Sequence, residues 1–354
     1  MKREYINSLK ENKKISWGIL GCARVAKSVL APGIQRSRNG TLLGIASRSL
    51  SAANIFADKF GVSRSYGTYI ELIEDPDIDA VYIPLVNSLH KEWTIKAAQK
   101  GKHILCEKPL ASNAIEAKEM VQVCRGNGVL LMEAFAHRFH PQNVLVKSLI
   151  DEGRIGKVIG MTSMHSSGVP SRDDIRLSKQ LSGGVLMDKG CYCVNTARFI
   201  FDSEPISVFA NISYGKKSGV DERVAAVLEF PNGGQVHFDT SFSLDSESYY
   251  QGYEVFGTGG RILVPFGFVQ LQTYRFGHIV DTHIFIQDND GTQKIDVGGV
   301  HQWQLESEYF ADVILSGDKL NYPAEDGLLN MRVIDAIYRS GDTGHSESLS
   351  LTGS

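Results

Sequence analysis

His103-Ile104-Leu105-Cys106-Glu107-Lys108-Pro109-Leu110-Ala111 reads as a short buried strand that runs into a charged pair and stops at a proline. Three apolar residues after the Gly101-Lys102 turn suit a strand covered on both faces, as in a parallel sheet. Pro109 ends the ladder because it has no N–H, and it pushes Lys108 into an extended conformation. A lysine fixed at the carboxyl end of a parallel strand points into the crevice where open α/β sheets take their ligands. It can serve there as a proton donor or a substrate clamp; the plain alternative is a solvated Glu-Lys pair at a loop mouth.

The upstream sequence supplies the rest of such a sheet. Ile15 to Gly21 is a strand, and Cys22 to Leu30 has helical spacing. The junction Gly21-Cys22-Ala23-Arg24-Val25-Ala26 is a G-x-A-x-x-A form of the dinucleotide fingerprint. Gly21 makes the tight turn, the small residues admit the pyrophosphate, and the helix start offers free N–H groups to phosphate. Ala23 replaces the usual second glycine and is tolerated if its φ is negative. Thr41 to Ser49 is the second strand. It ends in Ser47-Arg48, where an NAD site carries Asp or Glu. A hydroxyl and a guanidinium suit a 2′-phosphate, so NADP(H) is favoured and NAD(H) remains possible. Arg48 stacked on adenine is the alternative.

Helices follow over Ser51 to Phe60 and Tyr69 to Ile73, then a buried strand over Asp79 to Pro84. Pro84, Asn87 and His90 sit in the loop at that strand's carboxyl end, where Asn87 and His90 face the nicotinamide side or cap the next helix. Glu92 to Lys100 is helical. A capped helix starts at Ser112-Asn113 with Glu116 as the reciprocating glutamate. Val129 to Phe135 is the last strand of that sheet, leading to the loop Ala136-His137-Arg138-Phe139-His140-Pro141.

Beyond residue 136 the pattern changes to period two, over 158–164, 206–212, 223–230, 235–242, 253–256, 261–264 and 283–286, with a hairpin signal at Pro231-Asn232-Gly233-Gly234. The expected architecture is α/β. An N-terminal doubly wound parallel sheet (1–136) binds dinucleotide, and a C-terminal α+β domain (137–354) with a large, open-faced, mostly antiparallel sheet handles substrate and oligomerisation. One helix stands out in the second part, Ser182 to Ile200. It carries Asp188 and Tyr192 four apart and so on one face. A nearby Lys108 lowers the phenol's pKa on this reading, fitting Tyr192 for acid/base work on an alcohol–ketone pair; the alternative is a half-buried packing aromatic. His165, Arg172 and Arg176 lie just before that helix and can reach substrate, or remain solvated loop charges.

The chain has 354 residues, 42% hydrophobic and 22% charged, with net charge −3. That fits a soluble protein of two domains and offers no basic footprint for nucleic acid or an acidic membrane. No apolar run is long enough for a membrane span. Met1 to Lys14 is polar and does not read as a secretory signal. Five scattered cysteines (Cys22, Cys106, Cys124, Cys191, Cys193) fit reduced thiols in the cytoplasm. Cys191-Tyr192-Cys193 lacks zinc spacing, and no metal is expected.

Four motifs together resemble the glucose–fructose oxidoreductase / inositol dehydrogenase / rhizopine-catabolism (Gfo/Idh/MocA) family. They are the opening strand-turn-helix, Glu107-Lys108-Pro109-Leu110, Glu133-Ala134-Phe135-x-x-Arg138-Phe139-His140-Pro141, and Asp188-x-Gly190-x-Tyr192. The resemblance implies NAD(P) held between a Rossmann domain and an open-faced sheet domain, with a sugar, glycoside or polyol as substrate. It implies that Lys108 binds the reacting oxygen, that Asp188 and Tyr192 stand where the family keeps its acid/base pair, and that Glu107, Lys108 and Arg138 belong to the cofactor side. Tyrosine at 192 resembles the branch with glucose–fructose oxidoreductase, dihydrodiol dehydrogenase and sugar 3-ketoreductases. Lys189 departs from the apolar residue commoner there. The expected reaction is hydride transfer at C1 or a ring carbon such as C3. The alternatives are a trans-dihydrodiol dehydrogenase and a non-catalytic dinucleotide-binding regulator. A homodimer or larger assembly is expected.

Overall fold

The computed structural model describes residues 13–169, 171, 173–244 and 248–349. Most of the polar lead-in expected at 1–14 lies outside the described residues, as does Arg172.

The first sheet comprises β1 (Ile15–Leu20), β2 (Gly40–Ala46), β3 (Arg64–Tyr66), β4 (Ala80–Ile83), β5 (His103–Glu107) and β6 (Leu131–Ala134), in the order β3-β2-β1-β4-β5-β6. Every pairing in it is parallel. Strand order reverses between β1 and β4, so the crevice outside their carboxyl ends is the expected ligand site. The flanking helices begin and end on local chemistry. Ser49 caps Leu50–Phe60 by accepting from Ala52 N, and Gly61 closes it in the left-handed region at φ 60. Thr68 and Glu71 form a capping box on Tyr69–Glu74. Asn113 accepts from Glu116 N, while Glu116 reaches Ser112 N. The helix after β1 runs further than its sequence pattern. A π-turn at Ala26–Leu30 hands over to Ala31–Arg36, with Pro32 in the first turn, where a missing N–H is tolerated.

The second sheet comprises β7 (Val158–Ser167), β8 (Ser207–Tyr214), β9 (Asp221–Glu229), β10 (Gln235–Ser241), β11 (Tyr249–Gly257), β12 (Gly260–Val264), β13 (Thr282–Asp288), β14 (Gly291–Val297) and β15 (Glu347–Ser348). Their order is β14-β13-β12-β11-β7-β10-β9-β8-β15, and only β7 and β10 pair parallel. Burial alternates along these strands as period two requires; in β9, Val224, Ala226 and Leu228 are buried while Arg223, Ala225 and Glu229 face out. The helices Pro141–Asp151, Cys191–Phe201 and Ala324–Thr343 pack on this sheet.

Two late helices tie the halves together. Gln302–Ser316 returns to the first sheet, where Phe310 meets Trp17 with ring centroids 5.8 Å apart and Asn39 donates to Asp312 Oδ1 at 2.8 Å. Ala324–Thr343 accepts the Ala114 N–H on Asp335 Oδ2 at 2.9 Å. On the second sheet it meets Ala210, whose N–H donates to Ser340 Oγ at 3.0 Å.

Glu133, at the end of β6, is 6% exposed and accepts the Leu110 N–H at 2.7 Å, which pins the turn after Pro109. Burial, reinforced by Asp326, pushes its carboxyl up to about 8. A carboxyl raised on folding contributes stability that is fully present below its unfolded pKa of about 4.3 and is lost as pH rises through the folded value. Glu133→Gln keeps the acceptor without the charge. Urea unfolding should therefore find the variant gaining on wild type between pH 5 and pH 8.5; a constant difference across that range would contradict a buried neutral acid.

Candidate active site

Gly21 turns at φ 110, and a Cβ there would come within 3.0 Å of Leu85 Cδ2, so the fingerprint turn requires glycine. Ala23 is not among the positive-φ residues, so its methyl costs no backbone strain. Ala23, Arg24, Val25 and Ser28 form one wall of a cavity of about 750 Å³. Pro84 and Asn87 after β4 and Glu107 and Lys108 after β5 line the same cavity, as do His165, Arg176, Asp188 and Tyr192 from the second half of the chain. The helix that carries Asp188 and Tyr192 is set by Gly184 at φ 120, where a Cβ would fall 2.0 Å from Asp221 Oδ1. Asp221 Oδ2 accepts the Leu186 N–H at 2.7 Å and so caps that helix.

At the centre, Lys108 Nζ donates to Asp188 O at 2.9 Å and to Asp188 Oδ1 at 3.1 Å. Arg176 Nε holds the other oxygen, Oδ2, at 2.9 Å. Burial alone would raise the Asp188 carboxyl, but Arg176, Lys108 and Lys189 outweigh it and keep it well below the usual range. Burial likewise pulls Lys108 down, and Asp188, Cys191 and Glu107 more than reverse this, so its ammonium stays charged. The Lys108–Pro109 peptide is cis.

Tyr192 is half-buried, packed edge-on against Phe135 (5.2 Å) and His165 (5.0 Å), with His137 and Phe268 beside it. Lys108 Nζ stands 5.1 Å from its ring centroid, over the face. The expected lowering of the phenol pKa by Lys108 is not what the geometry gives. The ammonium is bound to Asp188, while burial, then Glu107, Cys191, Tyr249 and Asp188, push the Tyr192 phenol well above its ordinary value.

Two expected cofactor contacts are corrected. His90 is fully buried, with Nδ1 3.0 Å from Pro109 O and Nε2 3.0 Å from Leu85 O, so it braces two crevice loops from beneath. Arg138 is 4% exposed and faces away from the cavity. It donates to Asn195 Oδ1 and Asp326 Oδ2, both at 2.7 Å, and lies over the Tyr322 ring. Both are structural groups placed near a site by chain proximity alone. Asn87, by contrast, spans the two halves, donating to Ser182 O at 2.8 Å. Ser47 and Arg48 lie at the end of β2 beside the fingerprint. The Ser47 hydroxyl meets the Cys22 thiol, and Arg48 meets the Tyr69 hydroxyl, which itself faces Gly21.

The sequence reading missed Tyr249, Tyr274 and Trp303, all of which line the cavity. Tyr249 sits at the start of β11, four residues before the stretch whose alternation is legible. Trp303 arrives on a helix from the far end of the chain.

Residues 15–135 match the model of an oxidoreductase family with an NAD-binding Rossmann fold, and residues 144–263 match the GFO/IDH/MocA C-terminal domain. The D-xylose 1-dehydrogenase (NADP(+)) 2 of Haloferax volcanii is 35% identical over 336 residues, covering 94% of this chain and 99% of that one. The chain belongs to the GFO/IDH/MocA family. Its fold agrees with solved members. The aldose-aldose oxidoreductase of Caulobacter crescentus, complexed with glycerol, superposes with a TM-score of 0.86 at 26% identity, covering 95% of this chain and all (100%) of that one. KijD10, a 3-ketoreductase from Actinomadura kijaniata in complex with NADP and TDP-benzene, gives 0.84 at 29% identity, covering 93% and 98%. The expected α/β architecture and the expected NAD(P)-dependent oxidoreductase stand, and the non-catalytic regulator is set aside. Among the described residues no helix is long and apolar enough to cross a membrane.

Proposed function

We propose that this family member oxidises an aldose at C1 with NADP⁺. The observation that carries the reading is that Lys108 and Tyr192 line the same cavity as Ala23, Arg24 and Val25 of the fingerprint. The similarity to an NADP(+)-named D-xylose 1-dehydrogenase along nearly its whole length supports C1 as the reacting carbon.

The residues fit a dinucleotide. Gly21 leaves room where a side chain would strike Leu85, and the helix start beyond it faces the cavity. Gly21, Cys22, Ala23, Arg24 and Val25 would hold the pyrophosphate, Ser47 and Arg48 the 2′-phosphate, and Pro84, Asn87 and Glu107 the nicotinamide end. When bound, the nicotinamide supplies the hydride acceptor. Tyr192 takes the proton from the carbinol oxygen, and Lys108 donates a hydrogen bond to that oxygen as negative charge develops on it. Asp188, held by Arg176, orients Lys108. His165 and Arg176 contact the remaining substrate hydroxyls. Residues 1–136 form the dinucleotide domain and 137–354 the substrate and oligomerisation domain, whose outward sheet face pairs two or more copies in the cytoplasm.

The test is a steady-state assay over aldoses with each dinucleotide. Turnover with NADP⁺ and one or more aldoses is expected; turnover of a dihydrodiol but no aldose would overturn the reading. Arg48→Ala should weaken NADPH binding roughly tenfold to a hundredfold, the worth of a charge-assisted phosphate contact, and NADH no more than about threefold. Equal losses measured by fluorescence titration would assign Arg48 to adenine stacking.

A further inference from the structure

Lys189 occupies the cavity wall next to Asp188 and is only 9% exposed. An ammonium carries three N–H donors and no acceptor, and burying it without acceptors is costly. Among the described residues Lys189 has one close acceptor, the Tyr249 hydroxyl at 3.2 Å. Its nearest carboxylate oxygen, Asp188 Oδ2, is 3.8 Å away and already taken by Arg176 at 2.9 Å, while Oδ1 is taken by Lys108. Tyr249 in turn lies 2.7 Å from His165 Nε2, a ring that burial keeps neutral, so it adds no negative charge. Lys108 and Arg176 thus each have a carboxylate oxygen within 3.1 Å, with Asp174 also on Arg176 and Glu107 beside Lys108. Among the described residues of this cluster, Lys189 is the cation with no carboxylate oxygen closer than 3.8 Å, and it stands beside the residues proposed to meet the reacting oxygen.

We propose that Lys189, with Tyr249 and His165 behind it, is a specificity subsite for a carboxylate on the substrate, so that the preferred substrate is an aldose bearing an acid group, a uronate. This rests on the aldose reading above and goes beyond it. A carboxylate supplies the counter-charge that Lys189 lacks at close range and accepts more than one of its N–H groups in a single contact; a neutral hydroxyl supplies neither charge nor a bidentate acceptor. The groups facing Lys189 are Asp188, Arg176, Lys108, Tyr249, His165 and Tyr274. Burial, opposed by Asp188 and assisted by Arg176 and Lys108, brings its pKa down to about 8. The cation is present below that value and lost above it, so uronate binding should fail as pH rises through about 8.

The experiment compares D-glucuronate and D-galacturonate with D-glucose and D-galactose, with NADP⁺, in wild type and Lys189→Met. Expected is a kcat/KM for the better uronate at least tenfold above that for its neutral parent. In Lys189→Met the loss should fall mainly on KM and be at least tenfold larger for the uronate. The rise in uronate KM above pH 8 should vanish in the variant. A preference for the neutral parent, equal losses on both, or an unchanged pH profile would overturn the proposal while leaving the aldose reading in place. If no sugar is turned over, the aldose reading fails instead. Quenching of tryptophan fluorescence by uronate then decides for the subsite, since Trp303 lines the cavity. Quenching in wild type and not in Lys189→Met supports it, and equal or absent quenching overturns it.

Discussion

Lys108→Met should lower kcat/KM for the best substrate by about a thousandfold, or about 4 kcal/mol of transition-state stabilisation, while NADPH affinity stays within about threefold. Lys108 is the ammonium nearest the Tyr192 ring that is held rigidly from two points of one residue, Asp188 O and Oδ1. A fixed cation in a water-poor crevice stabilises an alkoxide far more than a solvated one would, and losing one such donor costs about a hundredfold to a thousandfold. The fold should survive, because Asp188 keeps Arg176 on Oδ2 and is not left as a bare buried charge. Methionine also fills most of the lysine's volume. Steady-state kinetics with a parallel fluorescence titration separates the roles. A variant within a few-fold of wild type in kcat/KM would remove Lys108 from the chemistry, and a variant that had lost NADPH binding would make it a cofactor residue.

Tyr192→Phe is expected to cost about a hundredfold to ten-thousandfold in kcat, the range for a positioned proton-transfer group. Only the hydroxyl is deleted. The ring contacts with Phe135, His137, His165 and Phe268 remain, so thermal unfolding should be unchanged. No hydrogen-bond partner for that hydroxyl is found among the described residues, and the side chain lines the cavity, which leaves its oxygen for the substrate. The pH dependence gives a second check. With the phenol raised by burial and by Glu107, it is protonated at neutral pH, ready as an acid for reduction and limiting as a base for oxidation. Sugar oxidation by wild type should therefore climb with pH across the alkaline range, and the slope should disappear in Tyr192→Phe. A variant that kept both rate and slope would assign the proton to another group.

Much of the first sheet was legible because its strands are apolar runs closed by turn chemistry: Ile15 to Gly21 before the fingerprint, His103 to Cys106 before Pro109. β3 escaped because three half-buried residues, Arg64–Tyr66, carry no period. In the second sheet alternation located seven strands, but β14, exposed along most of its length, has no apolar face to read. The cavity-lining side chains were legible where one motif holds the residue, as with Lys108, Asp188 and Tyr192. Proximity in sequence misled at His90 and Arg138, because a loop at a strand's carboxyl end has an underside as well as a mouth, and both side chains turn under. What no pattern carried was long-range contact. Tyr249 meets Lys189 across 60 positions and His165 across 84, and nothing local marks any of the three as neighbours.

Lys108 and Tyr192 share one cavity with the start of the fingerprint helix, where the proposed function would pass a hydride from a sugar carbon directly to a bound nicotinamide. A sugar deuterated at every carbon-bound position, turned over with NADP⁺ and followed by mass spectrometry of the reduced dinucleotide, tests that most directly. One deuterium in each NADPH formed is the predicted result; NADPH carrying only protium would contradict it.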